Sequence, residues 1–196
     1  MGMAVGFNAT DRARRFGRMV AVLAATALLG GCASLSEGEC RTADWYELGR
    51  RDGEDGRPRA RFHDHTEACA DYGIQPHRAA YFSGREEGLA SYCTPRNGYR
   101  EGRDGNKYRE VCPRGAERGF LRAYERGKSI HEVEEKLDTI DNAIERKEYR
   151  LDDDDRTPEE REALRDSIEE LNREYRRVSR HLIELERRYG DSYHDY

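Results

Sequence analysis

The chain has 196 residues, its formal net charge is −5, and 38% of its residues are Asp, Glu, Lys or Arg. Positive and negative charges are interspersed, whereas a nucleic-acid-binding protein carries a basic patch or stripe. We therefore expect no nucleic-acid partner. No apolar run after residue 31 approaches the roughly 20 residues that a membrane-spanning helix needs.

The N-terminus has the organisation of a secretory signal. Four arginines between positions 12 and 18 precede an uncharged apolar run over 19–29, which is too short to cross a bilayer. The run ends in Leu29-Gly30-Gly31-Cys32, which fits the lipobox of bacterial lipoproteins. We therefore expect residues 1–31 to be removed and the Cys32 thiol to carry a diacylglycerol. The alternative is an ordinary cleaved signal with an unmodified cysteine.

A lipid on Cys32 predicts a location in the cell envelope. Each buried methylene contributes about 0.8 kcal/mol, and several acyl chains together anchor a protein firmly. Ala33 follows the cysteine, whereas an Asp there would resemble an inner-membrane retention signal. We therefore expect the membrane to be a partner through the lipid, and the protein to face the periplasm from the outer membrane.

Four further cysteines, Cys40, Cys69, Cys93 and Cys112, would enter an oxidising compartment, where an even number predicts disulfides. Three pairings are possible for four cysteines. Two helices joined by a turn at 53–56 would place Cys40 beside Cys69, and a turn at 102–103 would place Cys93 beside Cys112. We favour these two pairs. No CxxC spacing is present, which argues against a zinc ribbon.

Residues 40–127, after a tether over 32–39, are predicted to form a small helical head. Clusters of Gly and Pro predict loops at 52–58, 72–76 and 94–98. The intervening helices are expected over about 42–52, 59–72, 77–92 and 113–127.

A short pattern, Tyr-x-x-Gly-basic, recurs in the head at Tyr46, Tyr81, Tyr99 and Tyr124. Residues three apart share a helical face, so the pattern predicts close packing between helices. A core so poor in aliphatic residues is expected to depend on the disulfides.

Residues 128–189 are predicted to form an antiparallel coiled-coil hairpin, followed by a tail over 190–196. Apolar residues step by three and four from Ile130 to Ile144 and from Leu164 to Tyr189. Thr157 and Pro158 suit the start of the second helix.

The register that pairs Ile144 with Ile168 also pairs Leu137 with Tyr175 and Ile130 with Leu182. The same register brings Leu185 over Gly127 and Tyr189 over Ala123. We therefore expect the C-terminal end of the hairpin to pack against the head. The predicted fold class is all-α.

Ordered motifs of the head resemble a known family. They are Cys40 to Trp45 with Gly49, Ala80-Tyr81 with Gly84 to Leu89, Tyr92 to Pro95 with Asn97-Gly98, and Val111-Cys112-Pro113. They resemble the proteobacterial lipoproteins of domain of unknown function 2799, over about residues 32–128. The resemblance implies a secreted lipoprotein and supplies no catalytic residues. The coiled coil looks like a C-terminal extension.

Few residues of the sequence are candidates for metal binding or catalysis. His63, Asp64 and His65 lie near Cys69, but that cysteine is expected in a disulfide, so we predict no metal site. The acidic run 152–155 lacks the alternating ligands of a calcium loop. No nucleophile motif is present, and no cofactor is expected.

We therefore predict an interaction or structural protein of the cell envelope rather than an enzyme, with a protein partner or a second copy bound through the coiled coil. The alternative is a peptidoglycan-binding, metal-binding or hydrolytic protein with its site in the head. A pocket lined by Arg50, Arg85 and Arg103 beside ordered tyrosine rings would favour that alternative.

Overall fold

The computed structural model describes residues 34–190, so Cys32 and the tail beyond Gly190 lie outside the described residues. The expected all-α fold is confirmed, and no strand occurs within this range. The helices are α1 (Glu37–Thr42), α2 (Trp45–Glu54), α3 (Arg61–Ala70), α4 (Arg78–Tyr92), α5 (Pro95–Arg103), α6 (Arg114–Leu151) and α7 (Pro158–Tyr189). None of these helices is long and apolar enough to cross a membrane.

The described residues divide into two compact units, one of residues 34–43 and 62–76 and the other of residues 44–61 and 77–190. In the first unit a disulfide joins Cys40 of α1 to Cys69 of α3, with their Cα atoms 5.6 Å apart. A capping box begins α1: the Ser36 N–H donates to the Glu39 carboxylate (2.8 Å), and the Ser36 hydroxyl accepts from the Glu39 N–H. Helix α1 therefore includes the end of the segment that we expected to be a tether.

In the second unit, α2 and α4 pack with their backbones in contact. A Cβ on Gly84 would overlap the carbonyl oxygen of Tyr46, and a Cβ on Gly88 would overlap that of Arg50. These contacts advance in the same direction along both helices, so the pair is parallel. The Tyr46 hydroxyl also donates to the Glu87 carboxylate across the pair.

Helices α5 and α6 form a second parallel pair of the same kind, in which a Cβ on Gly127 would overlap the carbonyl oxygen of Tyr99. The loop that we predicted at 94–98 is wrong, because α5 begins there. The Thr94 hydroxyl accepts from the Asn97 N–H (3.2 Å), and Pro95 occupies the first helical turn. A proline suits that turn because its missing N–H would have no helical partner there.

The two helix pairs are related position by position. Equivalent residues, the first pair's given first, are Gly49 and Gly98, Gly53 and Gly102, Tyr81 and Phe120, Arg85 and Tyr124, and Gly88 and Gly127. The turns that follow α2 and α5 also correspond, because Gly56 and Gly105 both have positive φ (59° and 70°). A ring lies against each of these glycines, from Tyr92 and His131 respectively. The chain thus contains a duplicated two-helix unit, but the Tyr-x-x-Gly copies do not correspond between its halves, since Tyr81 is matched by Phe120 and Tyr124 by Arg85.

An aromatic cluster fills the core beside the second pair. Phe120 is fully buried, and the rings of Tyr92 and Tyr108 lie 5.2 Å and 4.8 Å from its ring. The Cys93–Cys112 disulfide belongs to the same cluster. Both disulfides of the structure are therefore the pairs that the sequence favoured.

Helix α6 continues for 38 residues and crosses position 127 without a break. It forms with α7 the expected long hairpin, whose buried seam contains Leu137, Ile140, Ile144 and Val178. Lys136 and Glu174 pair across it at 2.8 Å, close to the expected register. Tyr175 was expected in the seam but is 36% exposed, so this prediction is wrong.

The far end of α7 approaches the head, as the guanidinium of Arg126 lies 5.5 Å from the centre of the Tyr189 ring. Leu185 is buried. The role expected for Gly127 needs correction, because the position of its Cβ is occupied by the backbone of Tyr99 and Arg103 rather than by Leu185. Gly127 therefore serves the contact between α5 and α6.

Candidate functional site

The described fold begins at Ser34, two residues after the predicted lipidation site at Cys32. The Ser34 hydroxyl and the Nδ1 atom of His65 are 2.9 Å apart, and His65 is only 1% exposed. Leu35 is also buried. Ser34 and Leu35 are therefore packed within the first unit.

The residues that could have formed a metal cluster have other roles. Cys69 is bonded to Cys40, His65 contacts Ser34, and His63 lies 3.2 Å from the Glu67 carboxylate. Over residues 34–190 no three His, Cys, Asp or Glu side chains come together as a metal site would require.

The three arginines that would have marked a pocket do not converge. Arg50 forms ion pairs with Glu47 (2.8 Å) and with Glu54 on its own helix. Arg85 is buried, its Nη2 donates to the Arg57 carbonyl oxygen (2.7 Å), and burial lowers its pKa. Arg50 and Arg85 therefore make structural contacts within the first helix pair, whereas Arg103 lies on α5.

A buried hydrogen bond holds the first helix pair together. The Tyr81 hydroxyl donates to the Asp52 carboxylate at 2.5 Å, and both side chains are buried. Burial, and then the neighbouring carboxylate, raise the pKa of Tyr81 well above its ordinary value of 10. A phenol that stays protonated in this way acts as a permanent donor, which indicates a structural role.

One feature that could hold a ligand is a cleft of about 1080 Å³ between α5 and the C-terminal end of α7. Arginines line it from both sides: Arg96, Arg100 and Arg103 from α5, and Arg187 from α7. Among the described residues of its lining Glu186 is the one acidic side chain, and Tyr99 is aromatic. We call this feature the arginine cleft.

Two of the arginines are available to a ligand. Arg103 pairs with Glu134 (2.8 Å), and Arg100 donates to the Asn97 side-chain oxygen (2.5 Å). Arg96 and Arg187 are exposed and form no ion pair with any residue that the structure describes. Guanidinium groups bind carboxylates and phosphates through paired hydrogen bonds. In a chain of net charge −5, the cleft is thus a local concentration of positive charge suited to an oxyanion.

Residues 44–129 match the family described as Protein of unknown function (DUF2799). The DUF2799 region begins at the first residues of the first helix pair and ends just after Gly127, so it covers both copies of the duplicated unit. Searches of curated proteins and of solved structures found no match.

The region that matches the family forms only one wall of the arginine cleft. Its α5 wall belongs to the DUF2799 region, whereas Glu186 and Arg187 come from α7, beyond that region. The sequence analysis missed the cleft because α5 was expected to be a loop. Arginines at positions 96, 100 and 103 share one helical face, and this spacing was the available signal.

Proposed function

We propose that the protein is a lipoprotein anchored through Cys32 to the periplasmic face of the outer membrane, where it acts as an interaction or structural protein. The observation that carries the proposal is the lipobox Leu29-Gly30-Gly31-Cys32, which follows a basic segment and a short apolar run. The two disulfides agree with an oxidising compartment.

Several features support an interaction role over catalysis. Four arginines line the arginine cleft, and cations on a surface are suited to contact with an acidic partner. The hairpin presents Ile183 at 55% exposure and Tyr149 at 83% exposure. Apolar side chains on a rigid helical arm are suited to contact with another protein. The cleft also supports the alternative of a ligand-binding protein.

Metabolic labelling with palmitate tests the anchor. We expect the full chain to incorporate label and to sediment with outer membranes, and Cys32→Ser to lose both properties. Ser34→Ala is the matched control, because it changes a neighbouring small residue without removing the thiol. Label retained by Cys32→Ser would contradict lipidation at this site. Label with sedimentation in the inner membrane would contradict only the outer-membrane location.

Cross-linking of the full chain in cells, followed by mass spectrometry, tests the interaction role. We expect cross-links from the α6–α7 hairpin to one recurring envelope protein or to a second copy of the chain. Cross-links confined within one chain under conditions that capture known envelope complexes would contradict the role.

A further inference from the structure

Helix α7 carries a second stripe of side chains beside its buried seam. Ile168, Asn172, Tyr175, Ser179 and Ile183 follow one another at steps of three or four residues, so they share one face of the helix. Tyr175 is 36% exposed and Ile183 is 55% exposed, and the other three side chains are half-buried. An apolar stripe that the helix's own chain leaves uncovered indicates a surface for contact with another protein.

We propose that this stripe binds the same stripe of a second copy of the chain, with the two α7 helices antiparallel and a twofold axis just after Tyr175. This register sets Ile168 against Ile183 of the second copy, and Asn172 against Ser179 of the second copy. Each of these contacts occurs twice in the dimer because the interface is symmetric. The proposal names the partner for the interaction role proposed above and rests on that role, but it does not depend on the lipid anchor.

The charges at the two ends of the stripe are complementary in the same register. Arg165 lies one turn before Ile168, and Glu186 lies one turn after Ile183. Both charged side chains are exposed, and neither forms an ion pair with any residue that the structure describes. The antiparallel register sets Arg165 of one copy against Glu186 of the other, whereas a parallel pair would set like charges against each other. Like charges in contact are costly, so the pattern favours the antiparallel pair.

The arginine cleft lies at the end of the stripe, because Ile183 is part of its lining. The antiparallel register brings the first turns of the second copy's α7 to this cleft. Those turns carry exposed carboxylates at Glu159 and Glu162, and the cleft carries exposed guanidinium groups at Arg96 and Arg187. Complementary charges steer association and fix register. The acidic end of each hairpin therefore matches the basic cleft of the other copy.

Photo-cross-linking in cells tests the pairing on the full chain. Benzoylphenylalanine replaces Ile183 in one tagged copy, and a second copy with a different tag is expressed beside it. We expect a product of two chains in which position 183 is joined to residues 165–172 of the other copy. The same photoreactive residue in place of Glu170, which is exposed on the opposite side of α7, should give at least tenfold less of this product.

Charge reversal tests the register. Arg165→Glu and Glu186→Arg each set like charges against each other, and each alone should lower the yield from position 183 at least fivefold. The two changes together restore opposite charges and should return the yield to within twofold of the original. Arg177→Glu makes the same change of charge as Arg165→Glu at an exposed position on the other side of α7, and should alter the yield less than twofold.

Three results would overturn the proposal. They are no two-chain product from position 183, equal yields from positions 183 and 170, or a double charge variant that stays as weak as the single variants. A product that joins position 183 to a different protein would also overturn the second copy as the partner, but it would leave the interaction role standing. Circular dichroism of the charge variants checks that the helical fold is kept. Because the palmitate result does not depend on any of these outcomes, the proposals are separable.

Discussion

Gly88 on α4 lies against the backbone carbonyl of Arg50 on α2, so close that a single methyl group at Gly88 would overlap the carbonyl oxygen. Gly127 on α6 has the same relationship to the carbonyl of Tyr99 on α5. The obstacle in each case is helix backbone, which cannot turn aside as a side chain can. These two glycines therefore set the separation of the helices in both copies of the duplicated unit.

Substitution of Gly88 by Ala is expected to destabilise the protein, because α2 and α4 must move apart to admit the methyl group. Overpacking of this kind costs about 1–3 kcal/mol, and more when backbone must move. Thermal or urea unfolding of the variant measures the loss.

Gly115→Ala is the matched control, since no atom lies within 4 Å of the position that its Cβ would take. Gly115 lies in the first turn of α6, and alanine has the higher helix propensity, so this change should be neutral or stabilising by up to about 1 kcal/mol. Equal stability of the two variants would show that close backbone packing at Gly88 is unimportant.

The buried tyrosines predict a loss of stability at alkaline pH. The pKa values of Tyr81 and Tyr92 are both raised above 10, chiefly by burial, so the folded protein holds these protons more tightly than the unfolded chain does. Their contribution is complete below pH 10 and declines as the pH rises above 10. Unfolding free energy measured from about pH 8 to about pH 11 should fall, and Tyr81→Phe should make the fall shallower.

At neutral pH, Tyr81→Phe should also cost about 1–3 kcal/mol, because it removes a hydrogen bond to the buried Asp52 carboxylate. Tyr149→Phe, which removes a hydroxyl from a side chain that is 83% exposed, is the control. An unchanged slope above pH 10 in Tyr81→Phe would contradict the assignment of the alkaline loss to this residue.

The sequence predicted those parts of the fold that depend on local pattern. The step of three and four residues from Ile130 to Ile144 and in α7 predicted the hairpin, because one face of each helix must be buried. Both disulfide pairs were predicted correctly, and Gly56 with positive φ lies in the turn expected at 53–56. The turn expected at 102–103 is wrong, because these residues end α5 and the chain turns at Asp104-Gly105 instead.

The parts of the fold and of the candidate site that the sequence did not predict depend on contacts between segments far apart in the chain. Thr94-Pro95 can end one helix or begin another, and the choice was decided by packing of Gly98 against Phe120 of α6. Gly127 was assigned to the wrong neighbour for the same reason, because the sequence did not predict α5 as a helix. The arginine cleft requires α5 to lie beside the end of α7, about ninety residues later in the chain.

Loss of the Cys93–Cys112 disulfide is expected to destabilise the aromatic cluster around Phe120. The bridge spans 19 residues, and closing a loop of this size contributes about 3 kcal/mol on the chain-entropy model. Replacement of both cysteines by Ala should lower the unfolding free energy by about that amount in urea. Mass mapping under non-reducing conditions should still find Cys40 joined to Cys69. A cross-link between Cys69 and Cys93 in the unmodified protein would contradict the connectivity.

The structure and the heptad pattern of the sequence differ on which residues form the buried seam of the hairpin. Leu137 is 9% exposed and packs in a cluster with Ile140, Ile144 and Val178. Tyr175, which the heptad pattern also assigned to the seam, is 36% exposed. Leu137→Ala should therefore cost about 2–5 kcal/mol, whereas Tyr175→Ala should cost less than about 1 kcal/mol.

Urea unfolding at two protein concentrations measures both effects and shows whether the seam is closed within one chain. Because α6 supplies the partner of α7 in cis, the cost of Leu137→Ala should be the same at both concentrations. A cost that grows on dilution would mean that the seam joins two chains. A cost for Tyr175→Ala as large as that for Leu137→Ala would mean that the heptad register, and not the arrangement around Val178, describes the hairpin.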